Sequence, residues 1–244
     1  MRKISIFLFL LLIGKISCLA QIQEQEDEEA SYKGKLSYGV FFSTNGGLIG
    51  GFTLRSYKKL TPLTSRVLSF DLTNIKHPKE SRQGSAITGS AFIPGKQNYL
   101  YCFRAHYGRE FILFQKAPEE GVEIGLTLAG GLNLAFVAPY YIEYAFSSTD
   151  IRKVPYDPNV TPDFGLTLGT GNLFQGLTES KIKLGLTAKA AFSFQFASFR
   201  ESIGGFEVGG VLDAFAQKIV ILPLTTNRAI YPAFYLTIFY GFKK

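Results

Sequence analysis

Two groups of polar residues are the parts of this sequence that could do chemistry. The first is His77, Glu80 and Ser81, which lie within a span of five residues and supply the imidazole, carboxylate and hydroxyl used in nucleophilic hydrolysis. Polar loops commonly contain such residues, so their proximity alone specifies no catalytic geometry. The 2 histidines and 2 cysteines are also too sparse to give a metal-ligand spacing. We therefore expect neither an enzyme nor a cofactor or metal.

The second group consists of charged side chains that fall at the polar positions of segments in which apolar and polar residues alternate. If these positions line a narrow interior, opposite charges must pair there, because an isolated buried charge costs several kcal/mol. The predicted interior network is Arg55, Asp71, Arg104, His106, Glu123, Lys189, Glu207 and Asp213. Glu143 is assigned to the same interior, and Arg66 is considered as a further member.

The segment from Val122 to Phe146 shows most clearly what must position these charges. Its even-numbered residues are nearly all apolar, and its odd-numbered residues are mostly small or polar, over 25 positions. Side chains alternate between the two faces of a β-strand, so this segment has one apolar face and one polar face. Strands in soluble sheets usually end after five or six residues. Long two-faced strands are typical of a barrel with lipid outside and a polar interior.

The alternation predicts an all-β fold, an antiparallel transmembrane barrel of eight strands. The predicted strands are residues 35–44, 48–58, 64–75, 97–107, 121–146, 181–197, 203–216 and 229–242. Ten strands are the alternative, if Phe111 to Phe114 forms a separate short strand. The pair Gly130-Gly131 resembles a hairpin turn, but the apolar set stays on even numbers across it, which favours one long strand. The long connections 76–96, 148–180 and 217–228 are expected at the outer end, because such barrels have short inner turns.

The first residues have the pattern of a secretory signal peptide. Arg2 and Lys3 precede an apolar stretch from Ile4 to Ile13, and Cys18-Leu19-Ala20 gives small residues before a cleavage site at Gln21. Lys15 stands where a lipoprotein signal needs an aliphatic residue, so we do not expect lipidation of Cys18. The predicted organisation is a signal peptide at 1–20, an acidic periplasmic stub at 21–34 and the barrel at 35–244. Cys102 is then the single mature cysteine, a small interior filler that cannot form an intrachain disulfide.

The charge balance limits the partners of the chain. The formal net charge is +7, of which Arg2, Lys3 and Lys15 belong to the predicted signal peptide, so the mature chain carries about +4. Five acids in the segment 24–29 leave +9 for the rest. Nucleic acid is a poor partner for an exported protein. Outer-membrane lipid and the anionic headgroups of lipopolysaccharide suit a basic barrel better.

Several segments resemble outer-membrane β-barrel proteins of the Bacteroidota type. The cleavage between Ala20 and Gln21, the aromatic-rich final strand and the heavy use of Gly, Phe and Tyr are similar to that group. A closer similarity to an uncharacterised group among them lies in residues 107–109, 113–116, 120–122, 129–131 and 139–143. The resemblance implies a β-barrel in the bacterial outer membrane and brings no catalytic residues with it. Such barrels commonly end on an aromatic residue, whereas here Lys243 and Lys244 follow Phe242.

The expected function is that of a structural or interaction protein with a largely plugged interior, as an accessory subunit of an envelope complex or on its own. An eight-stranded barrel is only wide enough for its own side chains, which favours a plugged interior. A narrow channel for a small solute or ion is the alternative. A lipid A-modifying barrel enzyme that recruits His77, Glu80 and Ser81 is the second alternative.

Overall fold

The computed structural model describes residues 33–115, 121–172, 175–197 and 202–243, and the regular secondary structure within them is almost entirely β-strand. Its strands are β1 Gly34–Ser43, β2 Gly47–Thr61, β3 Thr64–Ile75, β4 Gln83–Gly84, β5 Ala91–Phe92, β6 Asn98–Phe114, β7 Val122–Pro139, β8 Tyr141–Ala145, β9 Ile151–Pro155, β10 Thr167–Thr170, β11 Lys181–Ala197, β12 Ser202–Phe215 and β13 Ile230–Lys243. Two short 3-10 turns, Phe164–Leu166 and Leu177–Glu179, interrupt the connection between β7 and β11. None of the helical segments in the described part of the chain has the length and apolar character needed to cross a membrane.

Eight of the strands form one closed barrel. Their order is β1-β13-β12-β11-β7-β6-β3-β2, and β2 pairs again with β1. Every neighbouring pair is antiparallel. The predicted eight-stranded fold is confirmed, and the ten-stranded alternative is wrong. Residues 108–114 extend β6 instead of forming a new strand, because Glu110 pairs with both Ser65 and Thr127.

Strand β7, which begins at Val122, continues through the pair Gly130-Gly131, as the alternation of its side chains predicts. Gly131 lies between His106 of β6 and Thr187 of β11, and a side chain there would collide with the carbonyl of Ala105. Strand β7 is nevertheless shorter than the predicted strand 121–146, because it ends at Pro139. Proline lacks the N–H that a continuing strand would use, and the next residues form β8 in a different sheet.

The two faces of the barrel wall have opposite polarity. On β11 the side chains of Leu184 and Leu186 are 67% and 64% exposed on the outside, whereas Thr187, Lys189 and Ser193 are buried inside. The other barrel strands show the same alternation of apolar outward and mostly polar inward residues. This is the reverse of a soluble protein and matches a wall that faces lipid.

Aromatic side chains lie near both ends of the outer wall. Tyr38, Tyr240 and Phe242 form one group, with ring centroids 6.1 and 5.2 Å apart. Tyr99 and Tyr101 stack at 5.6 Å near the other end. Aromatic rings at two levels are typical of the two membrane–water interfaces.

The two ends of the barrel differ in the size of their connections. At one end Lys35 pairs with Lys243, so both described ends of the chain meet there, and β2 joins β3 through residues 62–63. At the other end lie the connections 76–97, 140–180 and 216–229, together with the short turn at 44–46. The predicted signal peptide and nearly all of the predicted stub lie outside the described residues.

The long connections form a folded cap over one end of the barrel. Strands β10, β8 and β9 make a three-stranded sheet, and β4 pairs with β5. Tyr140, Ile142, Tyr144 and Tyr156 are buried together beneath this sheet. The connections 76–96 and 148–180, predicted as loops, therefore contain short strands and a core of their own.

Candidate functional site

The structure places all eight predicted network residues inside the barrel, each 7% exposed or less. Two further charges, Lys35 and Glu110, share this interior. Lys35 is the second residue of β1, and Glu110 lies in the segment that the sequence left unassigned. Arg104 and His106 occupy even-numbered, inward positions of β6. Extending this alternation by four residues predicts an inward position for Glu110 as well.

The strongest contact in the lumen joins strands that are not neighbours. Arg104 of β6 donates two hydrogen bonds to Asp213 of β12, at 2.9 Å from Nε and 2.5 Å from Nη2. Asn133 of β7 donates a third bond to Asp213, at 2.8 Å. The guanidinium carbon of Arg104 also lies 5.7 Å from the ring centroid of Phe41 on β1. These contacts cross the lumen and tie together strands that are not neighbours in the wall.

A second set of ion pairs surrounds Glu207 and Asp71. Arg55 Nη1 lies 2.7 Å from Glu207, and the Tyr235 hydroxyl donates to the same carboxylate at 2.6 Å. Lys189 lies between the two acids, 3.4 Å from Glu207 and 3.6 Å from Asp71. Two acids share two basic groups here, so these buried charges are paired as the cost of burial requires.

His106 lies between a hydroxyl and a carboxylate. Its Nε2 is 3.1 Å from Thr187 Oγ1, and its Nδ1 is 3.5 Å from Asp71 Oδ2 and 3.4 Å from Ser69 Oγ. The order hydroxyl, imidazole, carboxylate is that of a nucleophilic triad. His106 is only 1% exposed and Thr187 only 4%, so a substrate cannot reach either group in this structure.

The third set of polar contacts lies nearer the end where the strand termini meet. Lys35 Nζ is 2.9 Å from Glu123 and 3.2 Å from Gln195, and Gln195 donates to Glu123 at 2.8 Å. Glu110 differs from the other acids of the lumen. Ser193 donates to its Oε1 at 3.2 Å, whereas its buried Oε2 has no hydrogen-bond partner among the described residues.

Two residues assigned to the interior by sequence lie elsewhere. Arg66 is exposed on the outer side of β3, because the inward positions of that strand are the odd-numbered ones. Glu143 belongs to β8 in the cap, where it pairs with Lys153 at 3.0 Å. The sequence assigned Glu143 to the interior because the alternation of β7 was extended beyond Pro139, where that strand ends.

An apolar layer lies above the charged layers. The connection 216–229 inserts Ile219 and Ile221 into the barrel mouth, where they are buried with Ile75, Leu100, Cys102, Ala135, Phe215 and Tyr231. The Gln97 N–H donates to the Ile221 carbonyl at 2.9 Å, and the Ile221 N–H donates to Asn227 Oδ1 at 2.8 Å. We call Ile219 and Ile221 with this connection the mouth plug. Cys102 lies beneath it as a buried free thiol.

The structure does not assemble His77, Glu80 and Ser81 into a triad. Glu80 accepts the backbone N–H of His77 at 2.9 Å and pairs with Lys96 at 2.8 Å, so its carboxylate does not orient the imidazole. The ring of His77 contacts the backbone of Thr226 and Lys79 instead. Burial lowers the pKa of Lys96, although Glu80 opposes that shift. Among the described residues, nothing joins Ser81 to His77, and no acidic, histidine or cysteine cluster could hold a metal ion.

Comparison with solved structures gives similarities at 10 and 11% sequence identity. No family model matches the chain, and no curated protein matches it. The Neisserial surface protein A structure is 10% identical, covers 86% of this chain and 96% of its own, and gives a TM-score of 0.40. Ail, the attachment invasion locus protein of Yersinia pestis, is 11% identical with the same coverage and a TM-score of 0.36. The eight-stranded fold described above rests on the strand pairing of this chain and not on these similarities.

Proposed function

We propose that this chain is an integral outer-membrane protein of a bacterial envelope, of the Bacteroidota type that its sequence resembles. The apolar outer wall with aromatic residues near both ends supports a position across the bilayer. The short turn at 62–63 then faces the periplasm, and the cap faces the outside. The basic groups of the outer end suit a surface rich in anionic lipopolysaccharide.

The interior of the barrel is, in this proposal, closed to ions. The observation that carries it is the stacking of two obstructions on one axis: the Arg104–Asp213 pair spans the lumen, and the mouth plug lies above it. Hydrated ions need a continuous polar path, and Ile219 and Ile221 interrupt it with a packed apolar layer. The lumen charges then stabilise the barrel rather than select a solute.

The outward-facing cap is the proposed interaction surface, through which the protein acts as a structural or interaction component of an envelope complex. Ile87, Ile151 and Leu224 are large apolar side chains exposed on three different outer connections. Exposed apolar side chains that lie together as a patch are typical of sites that bind another protein. A folded cap also presents them on a fixed scaffold instead of on free loops.

Electrical recording tests the closed interior. The purified protein, inserted into a planar lipid bilayer, should give no reproducible conductance steps, while a general porin in the same membrane does. Steady, uniform steps from the wild-type protein would overturn the closed interior and favour the narrow channel.

Purification from the native membrane tests the interaction role. Wild type should bring a fixed set of envelope proteins with it, and the Ile151→Asp/Leu224→Asp variant should lose them. The control is Leu63→Asp, which places the same charge at an exposed leucine at the opposite end of the barrel. Loss of the partners from both variants, or from neither, would contradict the cap as the interaction surface.

A further inference from the structure

A cavity of about 530 Å³ lies between the cap and the mouth plug. Its walls come from the end of β7, the start of β11, the residues after β9, the connection 216–229 and the segment before β6. Ile219 of the mouth plug contributes to the same cavity. We call this cavity the vestibule. Its volume lies in the range of sites that bind small molecules.

Three lysines line the vestibule: Lys181, Lys183 and Lys218. Lys181 pairs with Val137 and Lys183 with Ala135, so both lysines occupy inward positions of β11. Their neighbours Ile182 and Leu184 face outward and are among the most exposed apolar residues of the barrel. The lysines therefore belong to the mouth of the barrel and not to its lipid-facing wall.

Asp157 and Glu179 also line the vestibule, but neither forms an ion pair with these lysines. Asp157 Oδ1 accepts two hydrogen bonds from Asn159, at 2.9 and 3.1 Å, and Glu179 Oε1 accepts the Tyr141 hydroxyl at 2.8 Å. Lys183 Nζ donates to Gln217 Oε1 at 2.9 Å, a neutral partner. Within the described part of the chain, no salt bridge involves any of the three lysines. Three lysines thus line one cavity without an ion pair to a carboxylate in the described residues.

Polar groups that suit a sugar lie beside the lysines. Asn98 donates its amide N–H to the Val220 carbonyl at 2.9 Å, which fixes the side chain at the edge of the cavity. Gln97 and Asp157 also line it. Amides and carboxylates bind sugar hydroxyls, and lysine ammonium groups bind phosphate oxygens by charge-assisted hydrogen bonds.

We propose that the vestibule binds a phosphorylated sugar from outside the cell, with Lys181, Lys183 and Lys218 at the phosphate and Asn98 and Asp157 at the hydroxyls. This inference rests on the proposed orientation of the barrel, because the vestibule must open outward. The same chemistry occurs in a free sugar phosphate and in the phosphorylated core saccharide of lipopolysaccharide.

Calorimetric titration of the full-length protein in detergent micelles tests the site, with glucose 6-phosphate as the probe and glucose as its uncharged counterpart. We expect binding of glucose 6-phosphate, at least tenfold weaker binding of glucose, and weakening with added salt. The Lys181→Ala/Lys183→Ala/Lys218→Ala variant should lose at least tenfold in affinity. The control is Lys33→Ala/Lys58→Ala/Lys79→Ala, which removes the same charge from exposed lysines outside the vestibule.

A second titration separates the two sources of the ligand. In this titration the probes are the phosphorylated core oligosaccharide and its dephosphorylated form. Tighter binding of the phosphorylated oligosaccharide than of glucose 6-phosphate assigns the site to lipopolysaccharide. Equal loss in the two lysine variants, or failure of wild type to bind either phosphorylated probe, would overturn the vestibule site. Neither result depends on conductance or on co-purified proteins, so this proposal and the proposed function can fail separately.

Discussion

Arg104 and Asp213 are held side by side across the lumen, by two hydrogen bonds of 2.9 and 2.5 Å, although β6 and β12 are not neighbours in the barrel. The pair therefore acts as a cross-link through the lumen between two separate parts of the wall. Neither side chain is exposed, so water cannot replace the partner of either one. The stability of the barrel should depend on this pair more than on any contact within one wall.

Removing one partner of the Arg104–Asp213 pair should lower the free energy of unfolding of the barrel. Arg104→Ala leaves the Asp213 carboxylate buried without its cation, which we expect to cost about 3–5 kcal/mol. Thermal unfolding in detergent, followed by circular dichroism, should show a clear loss of stability. Arg66→Ala, which removes an exposed arginine from β3, is the control and should change little.

The double variant Arg104→Met/Asp213→Leu completes this test. Replacing both partners removes the unpaired charge, so its stability should recover toward that of wild type. A double variant as unstable as Arg104→Ala would contradict the unpaired Asp213 charge as the cause of the loss.

Removing the charge of Glu110 should have the opposite effect on stability to removing Arg104. Its Oε1 accepts from the neutral hydroxyl of Ser193, and its buried Oε2 has no hydrogen-bond partner among the described residues. Glu110→Gln removes a buried charge, one oxygen of which lacks a hydrogen-bond donor, and keeps the shape of the side chain, so we expect unchanged or greater stability in the same unfolding assay. Glu207→Gln is the matched comparison, because Glu207 accepts from Arg55 and Tyr235, and it should destabilise. Equal destabilisation by both variants would contradict this difference.

The wall of the barrel could be predicted from sequence because one physical rule governs all of it. Each wall residue faces either lipid or the lumen, so parity alone assigns its side, and the predicted strands 64–75 and 181–197 agree with β3 and β11 to the residue. The rule applies only to residues of the barrel wall. Parity assigned Glu143 to the lumen because nothing in the alternation of side chains indicates that β7 ends at Pro139 and that β8 follows.

The cap and the partners inside the lumen could not be predicted in the same way. Strands β9 and β10 are five and four residues long and lie among prolines and glycines, so their alternation is too short to recognise. Which acid meets which base depends on how long side chains cross the lumen, and neither parity nor strand register gives that. The register sets Arg104 directly opposite Asp71 on β3, yet its guanidinium bonds to Asp213 on β12.

A charge placed on the outer wall should report how deep each position lies in the bilayer. Phe192→Arg puts an arginine on an exposed outward position of β11, at a cost of roughly 2–4 kcal/mol near the midplane. Ile182→Arg, at the outer end of the same strand, should cost about 0–1 kcal/mol. Folding yields into lipid vesicles, measured by the heat-dependent gel shift of a folded barrel, should rank the two variants in that order. Equal yields would contradict the proposed membrane position.

The predicted processing site gives a test that is independent of the barrel. Small residues at Cys18 and Ala20 favour cleavage before Gln21, so protein isolated from the outer membrane should lack residues 1–20. Intact-mass spectrometry reads this directly. A mass that retains those residues would contradict the signal peptide.

The mouth plug should control access to Cys102. The thiol is fully buried beneath Ile221, so a maleimide added to the folded wild-type protein should react with it very slowly. Ile221→Asp places a charge in this apolar cluster, which should expel the connection 216–229 and expose the thiol, because a buried unpaired charge is too costly to retain. Leu224→Asp is the control: it introduces the same charge on the same connection at a side chain that is 70% exposed, so labelling should stay slow. The measurement is the labelling rate by mass spectrometry, with the gel shift confirming that each barrel remains folded. Fast labelling of wild type, or no increase in Ile221→Asp, would show that the plug does not seal the mouth.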